Sequence, residues 1–218
     1  IGSKTFKLMP NMFVFITDMR NSTGDRFITP ELKVKTEEVI ERLRSQANAA
    51  SQTLYDDSRV VACDSLENLG ICVRRIHSVL KPYQTPEGFA GIRIGCTRGE
   101  MLFGYDSKDD FKDIRRTAPL DSADNTIATA ARLMGLDKLR FEVSSPEGKG
   151  FCDALGDWAG SNDLLFLDSR LYEELSATLQ IKCRNVSILD LKGIGKRDCW
   201  AIPIEAFVTT AETTASAL

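Results

Sequence analysis

The sequence predicts one mixed domain of interleaved strands and helices, α+β or α/β, and three observations support this. Residues 12 to 17, "MFVFIT", form a short apolar run rich in aromatic and β-branched side chains, which is typical of a buried strand. The segment "SLENLGICVRRIHSVLKPY" places apolar residues at helical spacing. No repeat, low-complexity linker or sharp change of composition divides the 218 residues. We therefore expect a single domain over 8–206, with flexible termini at 1–7 and 207–218.

The next elements follow in order along the chain. "TPELKVKTEEVIERLRSQANAASQTL" predicts a helix that begins near Thr29, with Pro30 in its first turn. "RVVAC" predicts a second buried strand, and Asp64 follows its last residue. "AGIRIGCTRGEMLFGYD" predicts a hairpin that turns at Arg98 and Gly99.

The C-terminal half continues the alternation of helices and strands. "DSADNTIATAARLMG" predicts a helix that Asp121 caps and Gly135 terminates. The elements predicted after it are a strand "RFEVSS", a Gly- and Asp-rich loop at 147–163, a strand "LLFLD", a short helix at 169–176, and strands near 181–191 and 198–202.

Composition and charge exclude several classes of function. The net charge of −3 and the lack of a basic face argue against a nucleic-acid partner. No apolar run approaches the roughly 20 residues that span a bilayer, and no signal peptide is visible, so we expect a cytoplasmic protein without a membrane partner. The six cysteines include no CxxC pair and fit buried, reduced thiols. His77, the only histidine, lies in a predicted helix, so neither a zinc site nor a serine–histidine triad is expected.

Two aspartates stand where apolar strands end. Asp18 follows "MFVFIT", and Asp64 follows "RVVAC". Carboxylates at neighbouring strand ends can hold Mg²⁺ or Mn²⁺ and leave coordination positions for phosphate oxygens. The alternative role of each aspartate is to cap a following helix.

Two further features suit an anion. The turn "MRNST" after the first strand offers backbone N–H groups and hydroxyls to a phosphate, although it lacks the glycines of a P-loop and a plain polar turn is equally consistent. Asn125, Ala128 and Arg132 share one face of a predicted helix. That face would aim the guanidinium at an anion or at a partner subunit; an ordinary surface arginine is the alternative.

The order of these segments resembles the catalytic domain of class III nucleotidyl cyclases. The matching segments are "FITDMRNST", "VVACDS", "GIRIGCTRGEMLFGYD", "DNTIATAARLMG" and "LKGIGKRDCWAI", which span roughly residues 10 to 204. The family's motifs read F-x-D-I-x-G-F-T, G-D, G-I-x-x-G-x-V-x-G, V-N-x-A-A-R-L and L-K-G-I in the same order. The resemblance implies an α+β, ferredoxin-like fold with a central, mostly antiparallel sheet flanked by helices.

The resemblance also implies a site and a partner. Asp18 and Asp64 would bind two divalent ions, Mg²⁺ or Mn²⁺, that help the ribose 3′-hydroxyl ionise and neutralise the departing pyrophosphate. The phosphates would be held by backbone groups of five consecutive residues, Met19, Arg20, Asn21, Ser22 and Thr23. Arg132 would stabilise charge on the α-phosphate from the second subunit of a head-to-tail homodimer.

Three departures from the family bear on the substrate. Ala128 stands where the family carries an asparagine four residues before the arginine, and Asn125 either replaces that asparagine or contacts the base. Val60 stands where purine cyclases place a base-reading lysine four residues before the second aspartate. The segment after Asp64 predicts a helix where the family has a β-hairpin, which indicates a rebuilt substrate pocket.

With these departures the chain resembles the bacterial pyrimidine cyclases of Pycsar anti-phage systems, which convert UTP or CTP into a cyclic mononucleotide that activates a separate effector. The expected substrate is therefore a pyrimidine nucleoside triphosphate, UTP in preference to CTP. Tyr55 is the aromatic residue expected beside the base, with a partly buried tyrosine of no special role as the alternative. Two other functions stay open: an adenylyl or guanylyl cyclase with an atypical base site, and a cyclase-like domain that binds nucleotide without catalysis. A ferredoxin-like RNA-binding module fits the acidic balance poorly.

Overall fold

The structure is a computed structural model of the chain, and it describes residues 4–19, 34–35, 38–39, 41–43, 46–55, 58–81, 92–106, 113–114, 117–160 and 163–208. In this part of the chain, helices lie on both faces of one large sheet. No helix among these residues is both long and apolar enough to cross a membrane.

Eight strands form the sheet, in the order β2-β3-β1-β4-β6-β8-β7, with β5 paired to β4. The strands are β1 (Lys4–Met19), β2 (Ala49–Tyr55), β3 (Ser58–Cys63), β4 (Ile92–Asp106), β5 (Ala118–Leu120), β6 (Leu164–Asp168), β7 (Arg184–Leu191) and β8 (Gly195–Pro203). Every pairing between these strands is antiparallel except that of β4 with β6. The predicted mixed fold with a central, mostly antiparallel sheet is confirmed.

The helices are short apart from the first complete one. They are α1 (Leu66–Leu80), α2 (Thr126–Gly135), α3 (Pro146–Leu155), α4 (Ser169–Tyr172) and α5 (Ala177–Gln180), with 3₁₀ turns at Leu136–Phe141 and Gly156–Trp158. The described residues of 34–43, residue 46 and residues 204–208 are also helical. Ser65 caps α1 by accepting a hydrogen bond from the backbone N–H of Asn68, as the sequence pattern of that helix allows.

Alternate residues of β1 build two separate cores, because successive side chains of a strand point to opposite faces. Phe13 and Phe15 pack with α1 on one face. Val14 and Ile16 pack with α2 on the other face, which is also the face of Asp18. A third apolar cluster joins α3 to β6, β7 and β8.

Helix α2 lies directly on β4, and a glycine makes this possible. A Cβ atom at Gly95 would lie 2.1 Å from the carbonyl oxygen of Ala130 and 2.2 Å from the backbone nitrogen of Met134. Both are backbone atoms that cannot rotate away, so the contact requires a residue without a side chain. This close packing fixes the height of α2, and therefore of Arg132, above the sheet.

Three predicted elements are wrong. "AGIRIGCTRGEMLFGYD" is not a hairpin, because β4 runs through Arg98 and Gly99 without turning and pairs with β1 on both sides of that point. The end of the first predicted helix is strand β2, in which Ala50, Gln52 and Leu54 alternate with Ala49 and Ser51. Small and polar side chains indicate a strand only weakly in the sequence. The pairing with β3 determines the strand conformation of this segment.

The region predicted as strand "RFEVSS" and loop 147–163 is largely helical. Ser145 accepts a hydrogen bond from the backbone N–H of Gly148, and Pro146 occupies the first turn of α3. Phe151 and Leu155 then anchor α3 in the third core. The capping signal "SPEG" is in the sequence, but the four glycines and three aspartates of residues 147–163 favour a loop.

Candidate functional site

The end of β1 carries an ion pair on the face of the sheet that α2 covers. Asp18 is the Cα partner of Arg93 on β4, and the Arg93 Nη2 atom donates to the Asp18 carboxylate. The two side chains are 13% and 16% exposed, so the pair is shielded but reachable. Asp18 is thus where the sequence predicted it, at a strand end. Arg93 was missed, because an arginine inside an apolar strand shows its partner only through the register.

Asp64 lies at the opposite end of β3, so the prediction that it shares a metal site with Asp18 is wrong. Thr17, the neighbour of Asp18, pairs with Arg59, whereas Phe13 pairs with Cys63. Asp64 is five positions beyond Arg59, about 17 Å along the strand. The Asp64 carboxylate instead accepts hydrogen bonds from the side-chain amides of Asn48 and Asn68, the second at 2.7 Å.

Strands β2 and β3 also have an end close to Asp18, because Arg59 of β3 pairs with Thr17 on β1 and with Thr53 on β2. Strands β2 and β3 form a hairpin in which Tyr55 pairs with Ser58. The two residues between them in the sequence, Asp56 and Asp57, lie outside the described residues. Asp56 and Asp57 were not singled out in the sequence, because residues 49–54 were interpreted as the end of a helix.

The structure describes the two predicted base-contacting residues, Val60 and Tyr55, to different extents. Val60 is 0% exposed and packs in the core that contains Ile16, so its contact with the base stays a prediction. Its partner across the hairpin is Gln52. The Gln52 Oε1 atom is buried, and the described residues supply no hydrogen-bond donor to it. Of Tyr55 the structure describes the backbone, as the last residue of β2.

The predicted phosphate turn falls almost entirely outside the described residues. Met19 is the last residue of β1, where it pairs with Ile92. The other four residues of that prediction, Arg20, Asn21, Ser22 and Thr23, are not among the described residues.

Arg132 lies on the exposed side of α2 beside a second cationic residue. Its Nε atom donates to the backbone carbonyl of Lys192, 3.1 Å away. Lys192 is exposed and follows Leu191, the last residue of β7, which pairs with Gly195 across the β7–β8 turn. The turn is made possible by positive φ angles at Gly193 and Gly195. Lys192 was not singled out in the sequence, although it belongs to the "LKGI" segment.

Asn125 does not lie beside Arg132. It precedes the first residue of α2 with a left-handed backbone, φ 55°, and its side chain does not cap the helix. Asp121 performs that task, as predicted, by accepting hydrogen bonds from the backbone N–H groups of Ile127 and Ala128 at 2.9 and 3.0 Å. Arg132 is seven positions beyond Asn125, about 10 Å along the helix axis.

Within one chain, the Asp18–Arg93 pair and the Arg132–Lys192 pair lie in different parts of the fold. Strand β7, which leads into Lys192, is four strand positions from β1, about 19 Å across the sheet. The Asp18–Arg93 pair and the Arg132–Lys192 pair therefore form two separate surfaces.

The cysteines take no part in either surface. All six are free, and the Cys63 and Cys72 sulfur atoms lie 3.8 Å apart in the first core. The hydrogen bond between Cys63 and Cys72, together with burial, raises the pKa of Cys63 well above its usual value. Burial raises the pKa of Cys199 to about 12. No cluster of metal-binding side chains occurs among the described residues, and His77 lies 3.4 Å from Asp163 rather than at either surface.

Comparisons with known proteins support a fold and no closer relationship. No family model and no curated protein matches the sequence. Among solved structures, the catalytic core of a rhodopsin-guanylyl cyclase with converted specificity, in complex with ATPalphaS, is 14% identical with a TM-score of 0.58 and covers 91% of this chain and 98% of its own. The guanylate cyclase domain of RhGC from Catenaria anguillulae, in complex with GTP, is 15% identical with a TM-score of 0.57 and covers 90% and 97%. The adenylyl cyclase CyaB from P. aeruginosa is 12% identical with a TM-score of 0.54 and covers 91% and 95%. The chain therefore has the fold of class III nucleotidyl cyclase catalytic domains, as predicted.

Proposed function

We propose that the chain is a nucleotidyl cyclase domain that converts a nucleoside triphosphate into its 3′,5′-cyclic monophosphate and pyrophosphate. The observation that carries the proposal is the carboxylate–guanidinium pair of Asp18 and Arg93 at a strand end in a cyclase fold. In the reaction the ribose 3′-oxygen bonds to the α-phosphorus, the bond from that phosphorus to the pyrophosphate oxygen breaks, and the hydroxyl proton is released.

Asp18 is the residue we assign to divalent-ion binding, together with Asp56 and Asp57 of the β2–β3 connection. Asp18 fits the role because its carboxylate stands at a strand end and is only partly buried. Mg²⁺ or Mn²⁺, two per site, would supply charge neutralisation at the phosphates and a lower pKa for the 3′-hydroxyl. Asp64 is not part of this assignment, because its carboxylate lies at the far end of β3.

Cationic side chains would bind the triphosphate from two copies of the chain. Arg93 of one subunit lies beside the carboxylate, and Arg132 and Lys192 of the second would reach the phosphates from the opposite side. Backbone groups from Met19 to Thr23 would add donors next to Asp18. A head-to-tail homodimer with two equivalent sites follows from this division of residues. Asn125 lies too far along α2 to be assigned a catalytic role with Arg132.

Gln52 fits a base that presents an N–H donor beside a carbonyl acceptor, as uracil does. It lies on the Asp18 face of the sheet, and its buried Oε1 atom has no donor among the described residues. The N3–H of uracil can donate to this oxygen, while the uracil O4 atom accepts from the amide nitrogen. A side-chain amide is neutral, unlike the lysine of purine cyclases. We therefore keep UTP ahead of CTP, with Tyr55 beside the base.

The physiological role we propose is synthesis of a second messenger in cytoplasmic anti-phage defence, where the cyclic nucleotide activates a separate effector. Six free thiols, two of them 3.8 Å apart, support a reducing compartment. The alternative is a purine cyclase, which the structural likeness to cyclases solved with ATPalphaS and GTP favours.

Product identification tests the proposal. The purified protein is incubated with each ribonucleoside triphosphate and Mn²⁺, and the products are identified by mass. Cyclic UMP is the expected product. Cyclic AMP or GMP would establish the purine alternative, and nucleotide binding without any product would establish a non-catalytic domain.

A further inference from the structure

The β7–β8 hairpin separates its charged side chains between the two faces of the sheet. Leu189 of β7 and Arg197 of β8 are Cα partners, and residues directly opposite one another share a face. Leu189 packs against the third core, on the face that α2 and α3 cover, so Arg197 points to that face as well. Asp190 and Asp198 alternate with these two positions and point to the other face. The α2 face of the hairpin therefore carries a cation and neither of the hairpin's two aspartates.

Arg197 lies on the same hairpin as the carbonyl group that Arg132 contacts. Arg132 donates to the backbone carbonyl of Lys192, 3.1 Å away. The residue before Lys192, Leu191, pairs with Gly195. Arg197 is two positions beyond Gly195 in β8, about 7 Å along the strand. Arg132 and Lys192 are exposed and Arg197 is partly buried, so three cationic residues lie around one turn.

In the part of the chain that the structure describes, none of these three cations forms an ion pair with a carboxylate. The Arg197 Nη1 atom donates to the carbonyl of its own neighbour, Lys196, at 3.1 Å. A guanidinium has five N–H donors, so Arg197 and Arg132 each keep donors for a ligand. Like charges gathered in this way repel one another, and a bound anion removes that repulsion. The chain as a whole has a net charge of −3, which makes this concentration of positive charge a local feature.

We propose that Arg197 is a further phosphate-binding residue of the cyclase site, where it binds the β- and γ-phosphates that leave as pyrophosphate. The inference rests on the proposed function, in which Arg132 and Lys192 bind the phosphates of the same nucleotide. Arg197 lies farther along the hairpin than the carbonyl that Arg132 contacts, so it meets the phosphates farther from the ribose. Its planar guanidinium can bind two phosphate oxygens at once. The site then selects a nucleoside triphosphate over a monophosphate.

Pyrophosphate binding, measured by isothermal titration calorimetry without divalent ions, tests the inference without a need for catalysis. The wild-type protein is expected to bind pyrophosphate. Arg197→Gln is expected to weaken this binding by about tenfold, because it removes hydrogen bonds between charged groups. Lys196→Gln is the matched control: it removes one positive charge at the adjacent position, on the other face of the strand, and is expected to bind pyrophosphate as the wild type does. Arg197→Lys keeps the charge and is expected to retain most of the affinity.

Unchanged affinity in Arg197→Gln would overturn the inference, and so would an equal loss in Arg197→Gln and Lys196→Gln, since net charge alone would then explain the effect. If Arg197→Gln does not fold, the wild type decides, because an affinity for pyrophosphate no greater than that for orthophosphate also overturns it. A protein that forms no cyclic nucleotide, yet binds pyrophosphate through Arg197, would contradict the proposed function alone. A cyclase whose Arg197→Gln variant binds pyrophosphate normally would contradict this inference alone.

Discussion

Asp18 of β1 and Arg93 of β4 are directly opposed in the antiparallel ladder, and their side chains form an ion pair at the end of the strand. Asp64, the other predicted metal ligand, is instead held by two amides at the far end of β3. We predict that Asp18→Asn lowers the rate of cyclisation by about a hundredfold or more, because a neutral amide is a poor ligand for Mg²⁺ or Mn²⁺.

Asp64→Asn is the matched control for this substitution. It makes the same chemical change at the far end of β3, about 17 Å away. The variant is expected to retain activity within about twofold. Initial rates at saturating Mn²⁺ compare the two variants, with circular dichroism as the check of folding. A large loss of activity in Asp64→Asn with an unaffected Asp18→Asn would contradict the assignment.

Gly95 is expected to tolerate no side chain. In Gly95→Ala the new Cβ would lie 2.1 Å from the Ala130 carbonyl oxygen, so α2 must move away from β4. We expect a loss of about 3 kcal/mol or more in the free energy of unfolding, measured by urea denaturation. Gly135→Ala is the control, since nothing lies within 4 Å of a Cβ at Gly135. That variant is expected to be neutral or slightly more stable, and an equal loss in both would contradict the packing argument.

Buried thiols should make the protein lose stability in alkali. The usual thiol pKa is 9.0, and burial raises those of Cys183 and Cys199 to about 12. Between these values the folded protein keeps the proton and the unfolded chain releases it, so this stability is full below pH 9 and is lost as the pH rises towards 12. Urea denaturation from pH 7 to 11 should show a shallower decline for Cys199→Ala than for the wild type. Parallel curves would count against the shift at Cys199.

Base selection should depend on Gln52. Gln52→Leu removes both the amide donor and the buried acceptor from the Asp18 face, so the preference for one nucleotide over the others should fall by about tenfold. Thr53→Val is the control, because Thr53 pairs with Arg59 on the opposite face. The ratio of kcat/KM between UTP and the other triphosphates is the measurement. An unchanged ratio in Gln52→Leu removes Gln52 from the base site.

The sequence predicts an element when the pattern of its side chains indicates which of them are buried or cap a helix. The apolar run before Asp18 had to be a buried strand, and α2 shows both its cap at Asp121 and its packed face. Strand β2 could not be recognised from the sequence, because alanine, serine and glutamine also occur in helices. Only the pairing with β3 makes this segment a strand. Because residues 49–54 were interpreted as helix, Asp56 and Asp57 were not considered, and Asp64 was taken as the second metal ligand.

The charged partners of the site could not be predicted for a related reason. Arg93 lies in a strand, and its relation to Asp18 depends on the register between β1 and β4. The contact between Arg132 and the Lys192 carbonyl joins residues 60 positions apart. Single-sequence periodicity places a side chain on a face, but it does not say which strand lies beside it.

Complementation between two inactive variants tests the central claim, that the site combines the Asp18 surface of one subunit with the Arg132 surface of another. Asp18→Asn and Arg132→Ala are unfolded together, refolded as a mixture and assayed for cyclic nucleotide. Half of the dimers should be mixed, and each should carry one intact site of two, so about a quarter of the wild-type activity should return. Each variant alone should stay inactive. A folded, dimeric mixture with no more activity than its components would contradict the account.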